Sequence, residues 1–333
     1  MISKPSLHRR RRALISACAV AALTLTGCGS EGTPDSAETN ESTPDATPTQ
    51  TDEAQESQEP APITVAVPLY YAGEAAGELR LFREFQQVEG VALTEAAKLV
   101  DGGTPLDPDY RTLWPGDTVT DVKSTDRAIT VTLNGDAFTE RPDGMSEHEA
   151  WLAIQQMVHT LQGVEQAETP VQFVRRAPGA ETPESQDPDT SQDPTTSETP
   201  DPTGETEAYP STLFGIDVSA PVKRAKWENA LALVNISVPS QDGTVSGDVL
   251  DAEGLASSFE ATVPWQVLKD EEVVLEGFAT AEGWVDKLHP WHTSIDVSEL
   301  EPGDYTFVAM TDDPTGGAEG PGPTSDSKEF TLQ

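Results

Sequence analysis

Groups able to do covalent or metal chemistry are few in this sequence, and they lie far apart. His148-Glu149 opens like an HExxH zinc-protease helix, where two imidazoles one turn apart hold the metal and the glutamate activates water. The second imidazole belongs at position 152, which is Leu152, so the metal site is incomplete. Ser146 and Glu149 read instead as a capping box, in which Ser146 caps a helix and Glu149 reaches back to it. His289 and His292 are close in sequence, but Pro290 between them breaks any helix that would align them, so packing or surface placement is expected. Asp312-Asp313-Pro314-Thr315-Gly316 is similar to a calcium-favouring acidic loop without the fixed spacing of alternate oxygens. Trp265, Trp284, Trp291 and Tyr305 could stack on sugars if exposed; core packing is the preferred reading. There is no GxSxG, no Walker loop and no Cys-His pair. Carboxylates are everywhere, with no pair at the fixed spacing glycoside hydrolysis needs. The expectation is a protein that is not an enzyme, with no catalytic residue, no metal site and no cofactor; its ligand-binding residues are not assignable from sequence.

One thiol is the exception. Lys4 and Arg9 to Arg12 form a basic block, followed by an apolar run from Ala13 to Leu25. That run is shorter than the roughly 20 apolar residues a bilayer span requires and suits the apolar region of an export signal. It ends in Leu25-Thr26-Gly27-Cys28. This resembles the lipobox of bacterial lipoproteins, which implies signal cleavage after Gly27 and a diacylglycerol on the Cys28 sulfur. Two acyl chains anchor stably, where one is marginal at about 0.8 kcal/mol per buried methylene. The arginine block fits either the general or the twin-arginine export route. Cys18 lies in the discarded signal, so no thiol remains for a disulfide, a metal cluster or a nucleophile.

Charge then divides the chain. The formal net charge is −38, and loss of the signal with its five bases leaves about −43. Residues 28–62 read as a lipidated disordered tether and residues 179–210 as a disordered linker. Residues 29–62 and 179–210 each hold nine acids and no base, are rich in Pro, Ser, Thr and Gln, and bury too little to offset the entropy of ordering. Like charge makes nucleic acid and anionic lipid surfaces poor partners. Solubility is the preferred reading of the acidity, with a cationic partner or weakly held divalent ions as alternatives.

Between and after these stretches lie two segments, each large enough for one core. In residues 63–178, Ile63–Tyr70 and Leu79–Phe85 alternate as strands, Val91–Val100 reads as a helix stopped by Asp101-Gly102-Gly103, and Thr118–Val122 with Ala128–Leu133 makes a hairpin. A second helix starts at Ser146 with Trp151, Ile154, Val158 and Leu161 on one stripe, runs to Gln162 and is closed by Gly163; Thr169–Val174 is a last strand. The Tyr70-Tyr71 strand end, Leu79-Arg80 before Glu84, Leu99 to Gly103, Leu113-Trp114-Pro115-Gly116 with Val119, Ile129 to Leu133 with Phe138, and Val158-His159-Thr160-Leu161 occur in an order and spacing that resemble the GerMN domain of sporulation and spore-germination proteins. The resemblance implies a small α/β sandwich like the ring-building motifs of secretion and sporulation complexes. It also implies a module that assembles with other proteins and is not known as a catalyst.

In residues 211–333, turn signals recur at short intervals and separate about seven strand-like runs. These are Leu231–Val238, Thr244–Leu250, Ser257–Leu268, Glu272–Ala279, Thr293–Asp296, Asp304–Met310 and Lys328–Leu332. Ser246 to Val249, Phe259 to Val263, Glu276 to Ala279, Pro290-Trp291 and Pro302 to Tyr305 look like the immunoglobulin-like domain that accompanies GerMN. Trp291 stands where that family often has Phe. The expected class is thus α+β: an α/β sandwich and an all-β immunoglobulin-like sandwich joined by disordered acidic linkers. The expected role is a non-enzymatic lipoprotein, lipid-anchored on the extracytoplasmic face of the cell membrane, with envelope proteins as partners; a wall-glycan or peptidoglycan binding module is the alternative.

Overall fold

The structure, a computed structural model, describes residues 64–134, 138–175, 212–315, 318 and 322–333. It opens with a long hairpin, β1 (Thr64–Ala75) paired antiparallel with β2 (Glu78–Glu89), in which Tyr71 faces Phe82. The two turn residues Ala76 and Gly77 both have positive φ, 51° and 79°. Such a turn matches the natural twist of paired strands. Val67, Leu69 and Tyr71 alternate into the core, as period two requires.

Helix α1 (Ala92–Val100) buries Ala96, Ala97 and Val100. Its stop is built as the sequence suggests: Gly102 has φ +102°, and a Cβ there would lie 2.7 Å from the Cα of Gly116. Asp101 joins the two ends of this crossing, accepting from the backbone N–H of Thr118 (2.7 Å) and Val119 (2.6 Å). Strands β3 (Val119–Ser124) and β4 (Ile129–Leu133) are antiparallel; α2 (Glu147–Glu165) follows, and β5 (Val171–Arg175) returns parallel to β4. Ser146 Oγ accepts from Glu149 N at 3.1 Å and Glu149 Oε2 accepts from Ser146 N at 2.9 Å, the expected capping box. The Ser146 N–H, and after it the Ser146 side chain, hold the Glu149 carboxyl below its usual range. The helix passes the expected stop at Gly163 and ends at Gln166, which takes the left-handed conformation instead (φ 54°). Gly163 is small for another reason: a Cβ there would sit 3.1 Å from Pro68.

After residues 176–211 the chain does not begin a new domain. Arg175 donates to the carbonyl of Thr212 at 2.7 Å. The miniature hairpin β6 (Thr212–Leu213) and β7 (Ile216–Asp217) then buries Leu213 and Phe214 in the first core. Phe214 meets Trp114 edge-on at 5.3 Å and lies tilted against Phe138 at 5.5 Å. Val222 exchanges two backbone hydrogen bonds with Val171, of 2.7 and 2.9 Å. The short helix α3 (Trp227–Ala230) follows, and Ala230 and Ala232 complete the same core. The first domain therefore consists of residues 64–175 and 212–232, and the boundary expected at 211 falls at about 233.

The second domain is one curled antiparallel-dominated sheet. Its strands are β8 (Val234–Val238), β9 (Gly243–Val245), β10 (Val249–Ala256), β11 (Thr262–Lys269), β12 (Glu272–Ala281), β13 (His289–Asp296), β14 (Gly303–Met310) and β15 (Ser325–Leu332). The order across the sheet is β8-β10-β13-β12-β11-β14-β15-β9. Because β8 also packs against β14 and β15, the sheet wraps around its core. That core is Val234, Ile236, Leu250, Val263, Val267, Trp291, Tyr305, Phe307 and Phe330 with their neighbours. Two expected runs divide differently. Thr244–Leu250 splits into the end of β9 and the start of β10. Ser257–Leu268 begins as a 3-10 turn at Phe259–Ala261, because Glu260 and Ala261 both have positive φ, before β11 starts.

Gly254 lies where the β10–β8 register shifts. A Cβ there would overlap the Asn235 carbonyl and approach the Trp291 ring to 2.9 Å. Gly254→Ala is expected to destabilise the chain by on the order of 3 kcal/mol, read from the urea unfolding midpoint, because backbone would have to move. A change below 0.5 kcal/mol, on the order of a surface substitution, would refute the close approach.

Candidate ligand-binding cleft

The residues singled out by sequence do not converge. Leu25, Thr26, Gly27 and Cys28 lie outside the described residues. His148 stacks on Trp151 at 5.7 Å, while Leu152, at the position of the missing zinc ligand, is buried in the core. His289 and His292 point to opposite faces of β13, and His289 pairs with Asp286 at 2.7 Å. Asp313 is occupied by both the backbone N–H and the hydroxyl of Thr315. Among the described residues, no group of three or more His, Cys, Asp or Glu could hold a metal ion, and no helix is long and apolar enough to cross a membrane. Of the aromatic set, Trp291 and Tyr305 are buried and Trp265 is packed on the core. Trp284 is 42% exposed, beside Phe259 at 39%, their rings edge to face at 5.3 Å.

What the fold does bring together lies at the junction of the two domains. Glu84 on β2 accepts from the backbone N–H of Leu106 (2.9 Å) and Asp107 (3.2 Å), holding the loop after α1 in place. Tyr110 of that loop stacks on Phe82 at 4.9 Å. Its hydroxyl donates to Asp326 Oδ1 at 2.6 Å, and the other oxygen of Asp326 accepts from the N–H of Ile236 at 2.6 Å. Lys328 Nζ donates to Asp107, to the Tyr110 oxygen (2.7 Å) and to Asp326 (3.3 Å), and it sits 4.3 Å above the Tyr110 ring. Asp107, Asp326 and Lys328 are all buried. Burial raises the Asp326 carboxyl despite the opposing pull of Lys328, and raises the Tyr110 hydroxyl well above its usual range. Around this cluster, Asn235 donates to the Arg83 carbonyl (3.0 Å), Arg83 to Ser237 Oγ (2.9 Å), and Ala232 N to the Leu81 carbonyl (3.0 Å). Desolvation offsets most of the attraction in a buried charged network of this kind, whereas removing one partner strands the others.

Beside the junction opens a cleft of about 690 Å³, within the range of ligand-sized sites. Its floor includes Tyr70, Trp227, Leu231, Leu255 and Leu288, drawn from both domains. Its rim carries Lys223, Arg224, Lys226 and Lys287, with the carboxylate of Glu168 opposite in charge. Gln155 on α2 fixes the basic run from behind, accepting from Ala225 N at 2.7 Å and donating to the Lys223 carbonyl at 3.3 Å. Arg224 Nε donates to Gln162 at 2.8 Å, and Trp227 reaches across to the Asp286 carbonyl at 3.1 Å. His159 also lines the cleft, its ring 5.3 Å from that of Tyr70. It is buried, and among the described residues neither ring nitrogen has a hydrogen-bond partner.

Burial, and secondarily the Arg224 charge, lowers the His159 pKa from 6.5 to about 3. The unfolded chain therefore binds this proton more readily than the folded one between those values. The stabilisation is complete above pH 6.5 and is lost as pH falls toward 3. Relative to His159→Phe, the wild-type chain is expected to lose about 1.4 kcal/mol per pH unit in that window. Urea unfolding of both proteins at pH 7, 6, 5 and 4 measures it; parallel pH profiles would show that the ring is hydrated.

The two domains are each of a known type. Residues 68–175 match the family described as sporulation and spore germination, and residues 233–318 match the immunoglobulin-like domain of bacterial spore germination. The chain thus carries a GerMN domain followed by that immunoglobulin-like domain, and residues 212–232 fall between the two matches. No curated protein matches the chain. Among solved structures, it is similar to the tandem GerMN domains of the sporulation protein GerM from Bacillus subtilis, at 13% identity over 72% of this chain and 63% of that one, with a TM-score of 0.32. It is similar to CopC from Methylosinus trichosporium OB3b at 19% identity over 30% of this chain and 93% of that one, TM-score 0.21. An engineered protein is similar at 16% identity over 31% of this chain, TM-score 0.22, and the chain spans only 21% of its length.

Proposed function

We propose that this protein is a non-catalytic cell-envelope lipoprotein, held by a lipid on Cys28 at the extracytoplasmic face of the membrane, whose two domains act as one protein-interaction module. The pairing of a GerMN domain with the germination-type immunoglobulin-like domain supports a module of the sporulation and germination kind. The observation that carries the finer reading is the buried Asp107–Lys328–Asp326–Tyr110 cluster. It fixes the two domains in one orientation, so they present a single composite surface to a partner.

Two experiments test it. Full-length chain, cross-linked in the native envelope, should capture partner proteins that a chain lacking residues 64–333 does not; identical partner sets would end the interaction reading. Cys28→Ala should leave the bilayer fraction, and a variant still membrane-bound and fully processed would end the anchor. The exposed Phe259–Trp284 pair is what a wall-glycan reading rests on. Co-sedimentation with purified wall tests that alternative, and no binding removes it.

A further inference from the structure

We infer that the cleft between the two domains recognises an acidic peptide segment with apolar side chains, contributed by a partner protein. The inference rests on the interaction reading above and specifies its chemistry. In a chain of net charge −38, only six basic residues follow position 210, and four of them, Lys223, Arg224, Lys226 and Lys287, line this one cleft. All four are exposed, and none forms a salt bridge with a described residue. The remaining two are spent otherwise: Lys328 is buried in the junction and Lys269 lies over Tyr305. Glu168 stands on the cleft wall, and Asp286 beside it is engaged by His289 at 2.7 Å, the bond that chiefly lowers its pKa, with Lys287 adding a smaller effect. Positive charge remains in surplus, and gathering like charges is unfavourable until an anion enters.

His159 adds the second, independent observation. A buried ring with no partner for either nitrogen among the described residues forfeits about 1–3 kcal/mol, which a carboxylate accepting its N–H would restore. The floor decides between a peptide and a glycan. Leu231, Leu255 and Leu288 offer apolar surface, and among the described residues the lining contains no Asn, Gln, Ser or Thr to meet a sugar's hydroxyls. A segment alternating acidic and aliphatic side chains satisfies rim and floor together.

The test uses the full-length chain in detergent and, as probe, a dansylated hexapeptide alternating glutamate and leucine, read by fluorescence anisotropy. The probe should bind, and the triple variant Lys223→Glu, Arg224→Glu, Lys226→Glu should bind at least about tenfold more weakly. Raising salt from about 50 to 500 mM should weaken the wild-type complex. Lys287→Glu and His159→Leu, each with an unfolding curve, carry the test if the triple variant misfolds; each should weaken binding about threefold or more. Equal binding by wild type and folded variants would overturn the proposal. So would displacement of the probe by a soluble muramyl glycopeptide at lower concentration than by unlabelled hexapeptide. Envelope capture by the triple variant separates this proposal from the reading beneath it. An unchanged partner set sinks the cleft and leaves the interaction module standing. Absence of any captured partner for the wild type sinks the module, and anisotropy still decides the cleft.

Discussion

Lys328→Met is expected to cost about 3–5 kcal/mol, because it leaves Asp107 and Asp326 buried without their cation. The cost lies in the stranded carboxylates rather than in the lost attraction, and this sets its pH dependence. Burial already raises the Asp326 carboxyl, and removing the cation that opposes burial raises it further. The penalty is then absent below the unfolded pKa and grows as pH rises through the folded one. Urea unfolding at pH 7 should show the full deficit and at pH 4 a much smaller one. Lys98→Met is the control: its pair with Glu95 is a solvated i,i+3 contact at 2.8 Å, worth roughly 0.5 kcal/mol or less. Equal effects of the two substitutions would mean that water reaches Lys328.

Phe214→Ala is expected to cost a further class of stability, about 3–5 kcal/mol, through loss of a fully buried ring. Phe214 holds a left-handed backbone conformation (φ 52°), costly for a bulky residue, and burial against Trp114 and Phe138 is what sustains it. Its N–H donates to the Phe138 carbonyl at 2.6 Å, so the ring is positioned by the domain it plugs. Two fragments check the same boundary. Residues 64–178 leave Trp114 and Phe138 uncovered and should not unfold cooperatively, whereas residues 64–232 should. Cooperative unfolding of the shorter fragment would return residues 212–232 to the second domain.

Local rules made much of the first domain readable. Ser146 and Glu149 announce their helix because both halves of the capping box lie within four residues. Asp101-Gly102-Gly103 announces a stop because only glycine tolerates Gly102's backbone and its closeness to Gly116. Phe214 was not readable. It follows an acidic stretch, sits on a hairpin too short for periodicity, and composition shifts put the boundary before it. The junction was hidden for a different reason. Asp326 and Lys328 alternate along β15 in the pattern of a solvent-facing edge, yet that face meets Asp107 and Tyr110. The cleft was hidden by summation. The acids of the second segment outweigh Lys223, Arg224 and Lys226 in any net count, and Lys287 and His159 join them only in three dimensions. His159 gives no signal on its helix, where it reads as one more inward position.

The contact of Arg175 with Thr212 changes what the stretch from 176 to 211 can be. The residues that flank it, Arg175 and Thr212, are neighbours on one domain. It cannot act as a spacer, and its length does not set the reach from GerMN to the immunoglobulin-like sheet. Joining two fixed neighbouring ends costs only about 0.6 kcal/mol more for each doubling of the connection. Evolution can therefore lengthen, shorten or recharge it almost freely, and an epitope or fluorophore inserted there would report on the protein without disturbing how its halves are joined.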